Sequence, residues 1–202
     1  MTPGLRGLVL HLRSRAIPAT AVVFLCAAAL TWAGCRMDDP GGSRMVRLIA
    51  VVLGVAAVAR TLAGPDEELE RGTPARWRLI RALHLTLLGG ALLGLLAAVG
   101  LLAGRQTHAV PLGTLVQAVS ALTATTALAA VLFGAQAAWA PPVGWALLML
   151  AVGPRDNITG EALTWMVQEP HTDVSRTVPA VLTVVGAAAY IRWGSRGGSS
   201  GR

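Results

Sequence analysis

Long uncharged runs broken by short polar stretches fill this chain, over residues 16–35, 82–104 and 106–154. The first two match the roughly 20 apolar residues that cross a bilayer, and the third is long enough for two crossings. The pattern predicts spans at about 17–34, 45–63, 79–103, 111–133, 138–152 and 177–191. The second is the shortest in strictly uncharged terms, Leu48 to Ala59. It reaches span length only if Arg47 and Arg60 snorkel at its ends. Pro141-Pro142 divides the third run into the fourth and fifth spans.

The polar breaks carry their own signals. Residues 4–15 place Leu5, Leu8, Val9 and Leu12 on one helical face, with Arg6, His11, Arg13 and Arg15 off it. That pattern is a basic amphipathic helix lying in the headgroup plane. In CRMDDPGGSR the proline and glycines predict a turn. Residues 159–168 read as a short amphipathic helix, with Thr159 as cap, Pro170 as stop and Trp165 suited to the membrane interface. The expected fold is therefore all-α: a polytopic transmembrane helical bundle of about six spans, one integral membrane domain over 1–193, and a flexible tail over 194–202.

Composition agrees, with 54% hydrophobic and only 13% charged residues. The chain has no lysine, which excludes a Walker A phosphate loop and Schiff-base chemistry. Basicity carried by arginine alone, with abundant Ala and Gly, also suggests a GC-rich bacterial genome. The net charge of +7 comes from arginines that flank spans, so it reflects membrane topology and predicts no nucleic-acid partner. With the N-terminus inside, six spans put Arg6, Arg13, Arg15, Arg60, Arg71, Arg76, Arg78, Arg81, Arg192, Arg196 and Arg202 in the cytoplasm. Arg36, Arg44, Arg47, Arg105, Arg155 and Arg176 fall outside. The positive-inside rule then predicts a multi-pass cell-membrane protein with both termini cytoplasmic.

The most charged stretch is Gly64 to His84, with four of the ten acidic residues and four of the seventeen arginines. Gly64-Pro65 followed by Asp66, Glu67 and Glu68 reads as a helix start, and Gly72 as its end. In the third span Gly90, Gly94 and Ala98 form a small-residue ridge, suited to a homodimer contact or to internal packing. In the fourth, Thr114, Gln117, Ser120, Thr123 and Thr126 step by three, as interhelical glue or the lining of a polar path.

Enzymatic signatures are lacking. Glu169, His171 and Asp173 have no matching second cluster for a metal and read as a hydrated loop. Glu67-Glu68 lies outside any span, unlike the paired glutamates of some intramembrane proteases. No serine or cysteine nucleophile has a nearby base. The expectation is a non-enzyme with no metal and no cofactor. Cys26 and Cys35, nine residues apart on one helix, are too distant for a disulfide, and Cys26 is expected to be buried as a small apolar residue. Ala33-Gly34-Cys35 resembles a lipoprotein processing site, but Trp32 stands where a small aliphatic residue is required, so the segment is read as a retained span.

The order of these parts resembles the permease subunit of ABC-type exporters over residues 4–193. The shared parts are a basic surface helix, six spans, a charged helix after the second, and an amphipathic helix between the fifth and sixth. The wording of ELERGTPARWRLIRALH is also similar to small actinobacterial membrane proteins of that kind. The resemblance implies a separate ATPase subunit as partner, coupled through Asp66, Glu67, Glu68, Glu70 and Arg71, and a re-entrant 159–168 helix. It makes Gln117, Ser120 and Thr123 a candidate substrate path. The competing expectation is a non-transporting membrane scaffold or accessory protein.

Overall fold

A computed structural model of the chain describes residues 17–62, 77–103, 111–153, 157–166 and 172–195. Every regular element among them is helical: α1 (Ile17–Arg36), α2 (Pro40–Thr61), α3 (Trp77–Leu102), α4 (Leu112–Phe133), α5 (Ala140–Val152), α6 (Ile158–Leu163) and α7 (Asp173–Trp193). Five of these, α1, α2, α3, α4 and α7, are long and apolar enough to cross a membrane. That is compatible with a multi-pass membrane protein.

The distribution of side chains points the same way. The interior is built largely of small residues, with Ala27, Ala50, Ala121, Ala127 and Ala130 fully buried. The outer surface carries Leu25, Leu87, Leu101 and Val184, each more than half exposed. The most apolar long helix, α3, is the least buried, 17% of its span against 61% for α4. Water would drive those leucines inward, whereas lipid is as apolar as a leucine core and leaves packing to small side chains.

The α1–α2 hairpin is tighter than the sequence suggests. Pro40, Gly41 and Gly42 do not form the expected turn; they are the first turn of α2. Asp39 caps it, its carboxylate accepting from the Gly41 and Gly42 backbone amides at 3.2 and 2.6 Å. Proline at the first helical position loses no hydrogen bond there. Ser43 Oγ then donates to Gly34 O at 2.7 Å and ties the two helices together. The second span therefore begins five residues before Met45 and reaches 22 residues, ending at Thr61.

Helix directions follow from a few contacts. Gln117 reaches Ser175, and Gly186 lies against Ala124, so α4 and α7 are parallel. His84 Nε2 meets Thr61 Oγ1 at 3.2 Å, and the Arg81 guanidinium packs on Gly194. The start of α3 thus sits beside the ends of α2 and α7. Because α4 and α7 are parallel neighbours, the chain must return along the bundle between them. The described elements in that stretch are α5 and α6. The start of α1 and the end of α7 consequently lie at one end of the bundle.

α5 is shorter than a span. Its 13 residues rise about 20 Å, against about 30 Å of hydrocarbon. α6 packs beside it: Trp145 Nε1, midway along α5, donates to Leu163 O at 2.8 Å. Two expectations about this region are corrected. The cap is Asn157, whose side chain accepts from Gly160 N at 2.5 Å, and the helix runs only six residues. Trp165 is 3% exposed and belongs to the core, not to an interface. Cys26 is likewise corrected: it is exposed, and Cys35 is the buried cysteine. α1 packs chiefly along α2, so Cys26 falls on its outer face, where lipid would be as suitable as a core.

Candidate functional site: a polar seam and a basic-ended cleft

The polar row of α4 lies in the most buried span of the bundle. Ala118, Ala121, Ala124, Ala127 and Ala130 are all buried, and such small residues let neighbouring backbones close on α4 from several sides. Gln117 has a specific task in that packing. Pro179 lies inside α7, and without an N–H it leaves the carbonyl four residues earlier, that of Ser175, without its helical donor. Gln117 Nε2 donates to this carbonyl at 2.8 Å. A neighbouring helix thus supplies the hydrogen bond that proline removed.

The rest of the row is satisfied locally. Ser120 Oγ donates to Val116 O, and Thr126 Oγ1 to Leu122 O at 2.9 Å. Thr123 is the exception: its hydroxyl is buried without a hydrogen-bond partner, against Gly89 of α3. Trp165 Nε1 is the other buried polar atom without a partner among the described residues.

The ridge of α3 faces outward. Gly90, Gly94 and Ala98 are exposed, and a methyl group added at either glycine would meet nothing within 4 Å. The close approaches are elsewhere. At Gly54 an added Cβ would strike Leu92, and at Gly186 it would strike the backbone carbonyl of Ala124. Neither glycine stands in a repeated small-residue spacing like that of α3; the Ala- and Thr-rich composition of α4 was the available hint that other helices would press against it.

The coupling residues Asp66, Glu67, Glu68, Glu70 and Arg71 lie outside the described residues, as do the 4–15 helix, Glu169 and His171. Their flanks are placed: Thr61 and Trp77 bound the 62–76 connection at the end of the bundle that also holds the start of α1 and the end of α7. Asp173 is the first residue of α7, capped by Thr172, whose side chain accepts from Ser175 N and donates to Glu161 Oε2 at 2.8 Å.

At this same end a cleft of about 620 Å³ opens between α1, α2 and the 134–139 turn. Gly134, at φ 86°, makes that turn possible: it ends α4 in a conformation that side chains disfavour, its N–H still donating to Ala130 O. Arg60, Gln136 and Trp139 stand at the cleft, with Val23, Leu53 and Ala56 among its apolar walls. Charge divides unevenly along the bundle. Among the described residues, Arg60, Arg78, Arg81 and Arg192 occupy the cleft end, with no carboxylate. The opposite end holds Arg36, Arg44, Arg47 and Arg176 together with Asp38, Asp39, Glu161 and Asp173. No group of three metal-ligating side chains occurs among the described residues.

No protein-family model, curated protein or solved structure matches this chain. What the fold defines is a class, an all-helical bundle with five long apolar helices, and any narrower reading rests on its own residues.

Proposed function

We propose that this chain is the membrane-embedded, permease-like subunit of an ABC-type export system, energised by a separate ATPase chain and working as a dimer. The observation that supports the reading is where the described flanks of the acidic segment, Thr61 and Trp77, lie. Asp66, Glu67, Glu68 and Glu70 belong to the connection between α2 and α3, which leaves from and returns to the end of the bundle holding the start of α1 and the end of α7. A lysine-free chain has no Walker A loop of its own, so an ATP-driven system needs a second chain. The outward ridge at Gly90, Gly94 and Ala98 suits a second copy.

In this reading the chain crosses the membrane six times in the cell membrane, with α5 and the segment after it as the fifth passage. The cleft end is cytoplasmic. The described arginines divide evenly between the two ends, and the excess that favours this orientation comes from Arg6, Arg13, Arg15, Arg71, Arg76, Arg196 and Arg202. Mass spectrometry of the protein purified from its native membrane in mild detergent is expected to find a stoichiometric partner carrying a Walker A lysine. Charge reversal at Glu67, Glu68 and Glu70 is expected to abolish that association while leaving the bundle folded. Recovery of the chain alone, or association indifferent to the reversal, removes the reading.

A second reading, a non-transporting scaffold or accessory protein, is favoured by the α4 row. Gln117, Ser120 and Thr126 bond within the bundle, as packing residues do, and leave Thr123 alone to line a path.

A further inference from the structure

The cleft at the basic end joins two kinds of surface. Its outer part holds the Arg60 guanidinium, the Gln136 amide and the indole of Trp139. Its inner part is apolar: Leu53 lies two turns from Arg60 along α2, about 10 Å deeper into the bundle, and Val23 faces it from α1. Arg60 is in the last turn of α2, the depth at which a spanning helix meets headgroups, and Trp139 is half exposed, as interfacial tryptophans are. The chain segments that join the bundle at this end carry Arg6, Arg13, Arg15, Arg71, Arg76, Arg196 and Arg202 against Asp66, Glu67, Glu68 and Glu70. Together with Arg60, Arg78, Arg81 and Arg192, the charge there is net positive and attracts anions.

A guanidinium recognises phosphate oxygens, an amide adds a donor, and apolar walls about 10 Å deep accept hydrocarbon. We infer that this cleft binds an anionic phospholipid, with Arg60 and Gln136 on the phosphate and an acyl chain along Val23, Leu53 and Ala56. A free phosphate would use only the outer part, and a zwitterionic lipid would bring its own cation against Arg60. Basic pockets between membrane helices hold anionic headgroups by this combination. The inference requires a membrane-embedded bundle and is independent of any transport activity.

Native mass spectrometry of the full chain in a neutral detergent tests it, titrating phosphatidylglycerol and phosphatidylcholine of identical acyl chains. Phosphatidylglycerol is expected to be retained preferentially. Arg60→Gln, at an exposed position, should weaken that retention about fivefold, and Arg60→Lys should restore most of it. Leu53→Trp, which fills the acyl wall and keeps the charge, should weaken it too. Equal retention of the two lipids, retention that Arg60→Gln leaves unchanged, or displacement by millimolar inorganic phosphate each overturns the inference. Unchanged thermal unfolding of Arg60→Gln separates lost binding from lost folding.

Discussion

At the scale of single residues, the informative contact is that of Gln117 with Ser175, because two helices share one backbone defect. Pro179 removes a donor from α7, and Gln117 of α4 replaces it at 2.8 Å. Gln117→Leu is therefore expected to destabilise the protein by about 1 kcal/mol, within the range of interhelical hydrogen bonds in membranes. The same substitution in a Pro179→Ala background, where the helical N–H is restored, should cost close to nothing. A double-mutant cycle on unfolding in mixed detergent reads the difference, and equal costs in both backgrounds would refute the pairing. The polar spacing of α4 was visible in the sequence. Its meaning was not, because it depends on a proline 62 positions later that only tertiary contact brings within reach.

At the scale of elements, two kinds of glycine must be told apart. Gly90 and Gly94 have the spacing of a helix-association ridge, yet open space surrounds them. Gly186 has no such spacing, yet an added Cβ would meet the Ala124 carbonyl, a backbone atom unable to rotate away. Gly186→Val should force α4 and α7 apart and destabilise the folded chain by about 3 kcal/mol. Gly90→Val and Gly94→Val should leave monomer stability within about 0.5 kcal/mol and shift only the monomer–dimer balance, if the ridge is a dimer seam. Thermal unfolding with light scattering measures both. Helix limits were legible where an apolar run ends in charge, as at Leu102 ahead of Arg105, or at a glycine, as at Phe133 ahead of Gly134. They were misplaced where capping decides: Asp39 extends α2 through Pro40-Gly41-Gly42, and Asn157 starts α6 ahead of Thr159.

At the scale of the whole molecule, the parallel pairing of α4 and α7 requires an odd number of passages between them. Topology reporters fused at the two ends of the chain should therefore report the same side of the membrane. Reporters on opposite sides would mean that α5 and α6 fail to carry the chain across, and five spans would replace six. The helical class and the apolar lengths both follow from the sequence, because apolar runs of that length satisfy their backbone groups internally only as helices. The short fifth helix was also legible, since the paired prolines and Gly153 bound it.

What the sequence determined by itself is thus the secondary structure and its apolar lengths: long lysine-free apolar helices separated by short polar breaks. The tertiary structure alone decided which faces meet. In lipid no hydrophobic force sorts a helix into inner and outer sides, so apolar patterning carries little information about contacts. It could not place α4 at the centre, turn the Gly90–Ala98 ridge outward, bury Trp165, or gather Arg60, Gln136 and Trp139 around one cleft. Those depend on steric fit between small residues and on backbone groups left over by proline, which are properties of pairs of helices and not of any one of them.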